Sequence, residues 1–279
     1  MLSYRHGFHA GNFADVLKHT VVAKILAHMV RKDKPFDYID THAGAGVYDL
    51  HSAEASKNAE HNDGYARLDP HDWPGLSDYF ASVDAVNPGS TLKFYPGSPL
   101  IAQHFLREHD CAWLFELHPQ DFATLSANVR ERRKTRARRD DGLKGLLGVV
   151  PPVSRRAFVL IDPSYELRRE FGLVFDAVRA AVEKFPTGVY AIWYPVVDRQ
   201  KVRRFQRQFV TSGMRNIQCY ELGIEPDSVE RGMTSSGVIV INPPWTLERD
   251  MRELLPRLAR ALGGERAPFR CQTLVSENG

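Results

Sequence analysis

The run Phe158-Val159-Leu160-Ile161-Asp162-Pro163-Ser164-Tyr165 carries the sharpest chemical signal in the chain. Its apolar half predicts a buried strand that delivers Asp162 to a cleft, and Pro163 fixes φ so that the turn can present its carbonyl outward. Two such oxygens suit an exocyclic amine. Adenine N6 is a poor nucleophile because its nitrogen is conjugated with the ring. The Asp162 carboxylate and the Pro163 carbonyl could accept its two hydrogens and hold the nitrogen in line with a methyl donor. Tyr165 would stack on the flipped base, a contact worth about 1–3 kcal/mol. Ser164 stands where a second proline is more usual, which keeps the carbonyl acceptor and gives up some rigidity.

Other candidates end strands too. Asp40-Thr41-His42-Ala43-Gly44-Ala45-Gly46 is a turn whose glycines let the backbone approach a ligand closely. It is not G-x-G-x-x-G, which disfavours a nicotinamide enzyme. Glu116 closes Trp113-Leu114-Phe115-Glu116, where an ionised carboxylate could accept from both hydroxyls of a ribose. Asp141-Gly142 sits where a carboxylate could accept from an adenine amino group, although a plain turn explains it as well. His19, His42 and Ser98 could each border a cofactor pocket, or be ordinary surface or satisfied polar residues. Ile241-Asn242-Pro243-Pro244-Trp245 rivals Asp162 as a proline turn, and Tyr194-Pro195 is a weaker third. Asn242 follows the last predicted strand, far from the glycine turn, whereas Asp162 follows the fourth, so Asp162 is preferred.

The elements that must position these residues alternate. Residues 12–31 read as an amphipathic helix capped by Asn12 and stopped by Lys32-Asp33-Lys34-Pro35, followed by a strand over 36–40. From Val47 to Tyr95 the composition turns polar, His-rich and Pro/Gly-punctuated. Within it Leu76, Tyr79, Phe80, Val83 and Val86 keep helical spacing, so residues 47–95 read as an inserted helical segment. Strands over 112–116, a stretch ending near Asp141, 157–161, 189–194, 217–222 and 237–242 then alternate with helices over 100–107, 119–133, 142–147, 174–185 and 199–211. That rhythm implies a mostly parallel sheet covered on both faces, with ligands beyond its carboxyl edge.

Composition narrows the function. The chain has 279 residues, 43% of them hydrophobic, enough for a substantial core and too many for disorder. Its three cysteines lie far apart with no metal-ligand spacing, which argues against a disulfide scaffold or a zinc ribbon. No apolar run approaches a membrane span, so a cytoplasmic protein without membrane or metal is expected. A net charge of +3 only permits an anionic partner. The block Arg130 to Arg139, with seven cations against one anion, could neutralise phosphates or be a solvated helix face. Smaller basic groups at Arg155-Arg156, Arg168-Arg169 and Lys201 to Arg207 tilt toward nucleic acid.

Taken in order, the motifs MLSYRH-x-FHAGN-x-ADVLKHT, DTHAGAG, YPGSPLIA, ELHP, PPVSRR, IDPSYE, YAIWYPVV, RGMT and VINPPW run colinearly along the chain. With them the sequence resembles the S-adenosylmethionine-dependent methyltransferases, and specifically the RlmJ family of 23S ribosomal RNA adenine-N6 methyltransferases. The resemblance implies an α/β, Rossmann-like class I methyltransferase fold over residues 1–279, with a seven-stranded, mostly parallel sheet and the small helical insertion. It implies S-adenosyl-L-methionine held by His19, His42, Ser98, Glu116, Asp141 and Gly142. It also implies catalysis at Asp162, Pro163 and Tyr165, Tyr4 beside the substrate base, and a monomer acting on 23S rRNA. The chain departs from the family pattern at Ser164 and in the poorly matched stretch from Val47 to Lys93.

Two alternatives stay open at this level. The turn at Asp162 is shared with DNA adenine methyltransferases, although no target-recognition domain is visible and RNA bases in loops are easier to splay out. The basic block and Ser164 also fit a non-catalytic RNA-binding module, which would not bind S-adenosyl-L-methionine.

Overall fold

A computed structural model describes residues 6–89, 91–129, 134–167, 169–227 and 232–278. Helix α1 (Phe13–Met29) opens on Asn12, whose side-chain oxygen accepts from the amides of Ala14 and Asp15 at 3.0 Å each. It is buried nearly all round, including Asp15, Lys18, His19 and Thr20, rather than amphipathic. The expected solvent face is covered because later parts of the chain pack on it, and a helix enclosed on every side needs no polar stripe.

Strand β1 (Asp37–Asp40) ends in the glycine turn, after which β2 (Val47–Asp49) and β3 (Phe94–Pro96) pair as an antiparallel ladder. Between them lie α2 (Ala53–Asn58), several single 3-10 turns and α3 (Ser77–Asp84). Buried Tyr65, Trp73, Tyr79 and Phe80 fasten this segment to the α1 side of the sheet. Then follow α4 (Ser98–Phe105), β4 (Cys111–Phe115), α5 (Pro119–Asn128), β5 (Thr135–Arg138), α6 (Gly142–Val149), β6 (Ala157–Ile161), α7 (Glu170–Lys184), β7 (Val189–Val196), α8 (Arg199–Val210), β8 (Ile217–Gly223), β9 (Ser235–Ile241), α9 (Leu247–Gly263) and β10 (Phe269–Val275).

The strands form one eight-stranded sheet in the order β10-β8-β9-β7-β6-β1-β4-β5. From β5 to β7 all neighbours are parallel; β9 runs antiparallel to β7 and β8, and β10 antiparallel to β8. The seven-stranded expectation falls one short. Strand β10 is a largely exposed edge strand, FRCQTLV, without the apolar run that marks an interior strand, so only its pairing with β8 reveals it. Helices α1, α3, α4 and α9 cover one face and α6, α7 and α8 the other, and each face has its own apolar core. No helix among the described residues is long and apolar enough to cross a membrane.

Asn12 also donates through Nδ2 to Glu60 Oε2 at 2.9 Å, tying the start of α1 to the inserted segment. Replacing it with Ala removes both the cap and the tie and is expected to cost about 1–2 kcal/mol. Urea unfolding checks this: the midpoint falls and the slope is unchanged.

Candidate active site

Strand β1 sits where the order reverses, with β4 and β5 following on one side and β6 and β7 on the other. In an open α/β sheet such a reversal opens a crevice beyond the carboxyl ends. The residues expected to do chemistry from the ends of β1, β4, β5 and β6 therefore share one edge. Asn242 does not. Its strand, β9, runs the other way, which puts the Asn-Pro-Pro-Trp turn at the opposite edge, where Asn242 Nδ2 donates to the carbonyls of Pro186 and Gly188 at 2.7 and 2.8 Å. Tyr194 is also structural: it is buried within β7 and donates to Glu221 Oε1 at 2.8 Å.

Asp162 follows β6 directly, with its side chain 15% exposed. Lys18 Nζ, from α1, donates to Asp162 Oδ2 at 2.6 Å and lies 2.8 Å from Asp15 Oδ1. Asp15 Oδ2 in turn meets His6 Nε2 and the Gly11 amide, each at 2.9 Å. Burial works against all three charges. For Lys18 the two carboxylates outweigh it, and the ammonium is held above the ordinary lysine range. For Asp15 the nearby His6 and Lys18 outweigh it, and the carboxyl is held well below the usual range. For Asp162 burial prevails over Lys18 and raises the carboxyl. One ammonium thus serves two carboxylates, and the outer one, Asp162, has no donor to its second oxygen among the described residues.

Pro163 is buried behind Asp162. Tyr165 adopts a left-handed backbone conformation (φ 53°), rare for a residue with a Cβ. Its hydroxyl donates to the Trp193 carbonyl at 2.8 Å, and its ring packs against Phe171 with centroids 4.4 Å apart. The aromatic plate is fixed at both ends beside Asp162. Tyr4, expected beside the substrate base, lies outside the described residues, as do Arg130 to Arg133 of the basic block.

The glycine turn is held by acids. Gly44 and Gly46 have positive φ, and a Cβ on Gly44 would strike the Tyr48 hydroxyl. Glu116 accepts from the amides of Gly44 at 2.8 Å and His118 at 2.7 Å, while burial raises its carboxyl. Asp40, fully buried, accepts from Tyr38 Oη and Ser98 Oγ at 2.7 Å each and from the His42 amide at 3.2 Å. Burial pushes it up to about 6 despite these donors. His42 Nδ1 lies 2.8 Å from Thr41 Oγ1, and burial lowers the ring to about 4. Asp141 caps α6 through the amides of Leu143 and Lys144, and a Cβ on Gly142 would collide with the Thr41 carbonyl. Of the six residues expected around a cofactor, five thus border the β1 turn or one of its immediate partners.

The sixth, His19, is fully buried on α1, with Nδ1 2.8 Å from the Tyr95 hydroxyl. Burial lowers its ring to about 3, and Nε2 has no hydrogen-bond partner among the described residues. A buried ring nitrogen with no hydrogen bond, 4.0 Å from Asp15 Oδ1, glycines too crowded for a Cβ and an acid at the end of β4 fit a nucleoside cofactor with a polar tail. An open cleft of about 180 Å³ adjoins the turn between His6, Ala45, Tyr48 and Gln120. The sequence pattern gives Lys18, Asp15 and His6 no role in the site, and places Asp40 at the head of the glycine turn without its partners Tyr38 and Ser98. The available signal was two charges three apart, Asp15 and Lys18, inside the apolar pattern of α1, which invites the question of what neutralises them.

Fold and site together define a Rossmann-like transferase, its chemistry at the carboxyl edge of a mainly parallel sheet. A family model described as "Ribosomal RNA large subunit methyltransferase D, RlmJ" matches residues 33–275. "Ribosomal RNA large subunit methyltransferase J" of Escherichia coli (strain K12) is 48% identical over 260 residues, covering 92% of this chain and 93% of the relative. The protein of that name from Haemophilus influenzae is 46% identical over 265 residues, covering 94% of each. The crystal structure of protein LPL1258 from Legionella pneumophila superposes with a TM-score of 0.87 at 33% identity, covering 95% of this chain and 98% of that one. The chain belongs to the RlmJ family of large-subunit ribosomal RNA methyltransferases.

Two predictions follow from the buried charges. Replacing Lys18 with Met leaves Asp15 and Asp162 without their shared cation and is expected to cost about 3–5 kcal/mol of stability. The pair D15N/K18M is expected to lose less than the sum of its single changes, which a double-mutant cycle by urea unfolding measures. For Asp40, the folded carboxyl titrates near 6 against 3.8 for the free group, so the folded state holds the extra proton between those values. Its contribution to stability is full below about pH 3.8 and lost as the pH rises through 6. The stability of D40N relative to the parent should therefore improve by roughly 1–3 kcal/mol between pH 4 and pH 7; a difference independent of pH would refute the assignment.

Proposed function

We propose that the chain methylates N6 of an adenine in 23S rRNA, using S-adenosyl-L-methionine. The observation that carries this reading is Asp162: a carboxylate at the carboxyl edge beside the strand reversal, anchored through one oxygen, with a proline carbonyl next to it. The bound cofactor supplies an electrophilic methyl group on a sulfonium. His19, His42, Ser98, Glu116, Asp141 and Gly142 are proposed to hold it. Glu116 suits the ribose hydroxyls and His19 Nε2 a polar group of the methionine end.

The chain's own residues then have separable tasks. Asp162 and the Pro163 carbonyl accept the two N6 hydrogens, which turns the nitrogen lone pair out of conjugation and aims it. As positive charge develops on N6, the buried carboxylate stabilises it without reorganisation. Lys18 positions Asp162 and stays protonated throughout, so the departing proton goes to solvent through Asp162 rather than to the lysine. Tyr165, locked by Trp193 and Phe171, offers a ring for the base, and Tyr4 is proposed to lie beside it. Residues 1–279 are read as one methyltransferase domain with 47–95 as its insertion, acting as a monomer in the cytoplasm.

The test separates chemistry from binding. Asp162→Ala is expected to lower methyl incorporation into 23S rRNA at least about 100-fold while calorimetric binding of S-adenosyl-L-methionine stays within a few-fold of the parent. Mass spectrometry of the digested RNA should show N6-methyladenosine with the parent protein only. Near-normal incorporation by the variant, or methylation confined to a DNA duplex, would sink the proposal.

A further inference from the structure

Helix α8 concentrates cations on its outer face with no acid in the helix to match them. Its twelve residues, RQKVRRFQRQFV, contain five cations and no acid. Arg199 is committed inward: it donates to both oxygens of Glu221 and to both of Asp227. Lys201, Arg203, Arg204 and Arg207 are exposed and make no ion pair among the described residues. The helix does not need them for its fold, since Val202, Phe205 and Phe209 form the buried stripe against the sheet.

The other face of the sheet offers a contrast. Helix α9 carries four arginines, and each has a partner: Arg249 with Asp250, Arg252 with Glu248, Arg260 with Glu265, and Arg257 over the Trp73 ring while donating to the Asp72 carbonyl. Like charges three and four apart on α8 repel by a few tenths of a kcal/mol per pair, a cost that a partner of opposite sign removes.

We infer that the outer face of α8 is a docking surface for the phosphate backbone of the RNA that flanks the target adenine. This rests on the RNA-methyltransferase reading and extends it from the base to the strand that carries it. Position supports it. Asp198 caps α8 immediately after β7, the neighbour of β6, so the first turn with Lys201 sits on the same carboxyl edge as Asp162. From Lys201 to Arg207 the cations run about 9 Å along the axis, matching an extended polyanion better than a single bound anion. Three of the four are arginines, whose planar fork suits phosphate oxygens. Exposed Gln200 and Gln208 flank the cations, and Val210 at the end of the helix is its one exposed apolar residue. A protein partner would want an apolar centre and a membrane an apolar stripe, and the stripe of α8 is already occupied by the sheet.

The experiment compares R203Q/R204Q/R207Q with a control that removes the same charge from α9, R249Q/R252Q/R260Q. Both are checked for unchanged melting and S-adenosyl-L-methionine binding. The α8 variant is expected to raise the KM for 23S rRNA about ten-fold with kcat within two-fold, and the α9 control to leave both unchanged. In filter binding, the slope of log affinity against log salt is expected to flatten by about two to three on α8 alone, roughly one per lost phosphate contact. An unchanged KM and slope, or equal effects from the two helices, would overturn the inference. If the parent binds 23S rRNA but does not methylate it, the catalytic reading fails while filter binding still judges the surface.

Discussion

One ammonium between two carboxylates governs this structure. Lys18 joins Asp15 of its own helix to Asp162 at the end of β6, so the docking of α1 and the position of the proposed catalytic carboxylate are a single constraint. Such a triad is tolerable only if its geometry is close and its remaining lone pairs are met, because removing charges from water costs several kcal/mol each. The surroundings satisfy that condition for Asp15 and Lys18 and leave the outer oxygen of Asp162 without a donor among the described residues. Gly11 and His6 complete Asp15, and α3, α4 and α9 close over α1 so that water does not compete for the lysine. The segment between β1 and α4 thus helps to hold the candidate site even where it contributes no reacting group. Its tyrosines enclose the helix that holds the lysine, and Tyr95 fixes one nitrogen of His19.

What was legible in the sequence follows from which signals are local. The cap at Asn12, the strand into Asp40, the strand into Asp162 and the hydrophobic spacing of α3 are written in neighbouring residues, and the structure has them where the pattern puts them. The family motifs are legible for the same reason. Strand β10 and helix α9 were not expected. The first is a polar edge strand that only its partner reveals. The second carries Pro256 inside it, and a proline usually argues against a helix interior, although Leu247, Met251, Leu254, Leu258 and Leu262 keep helical spacing. The charged relay was missed for a different reason: Lys18 and Asp162 are 144 positions apart, and nothing in either neighbourhood names the other. Asp40 was seen as the end of a strand but not as the acceptor of Ser98, a contact of the same long-range kind.

The two proline turns show how direction outranks motif. Asn242-Pro243-Pro244-Trp245 is the more literal match to an amine-binding turn, yet β9 is reversed relative to β6, so its carboxyl end faces away from the crevice. The same reversal brings the amino end of β9 to the active edge. There Thr234, Ser235 and Ser236 hold buried hydroxyls with no hydrogen-bond partner among the described residues, beside Trp193, whose indole nitrogen is likewise unpartnered. Unpaired buried polar groups cost about 1–3 kcal/mol each. Three of them at the amino end of β9 and one on neighbouring β7 place a considerable local penalty near the edge where a ligand would arrive.

The sheet separates two incompatible electrostatic tasks. Around Lys18 the charges are buried and neutralise one another, since a carboxylate proposed to accept an amine hydrogen cannot also face a mobile cation. On the outer side of α8, four cations are exposed with no ion pair among the described residues, which suits long-range attraction of a polyanion and would be ruinous within hydrogen-bond distance of Asp162. Screening in water shortens the reach of the exposed charges to about 8–10 Å, whereas the buried pair is hardly screened. Strands β6 and β7 between the two layers allow an exposed basic face to attract a polyanion without disturbing the carboxylate proposed to recognise a single nitrogen.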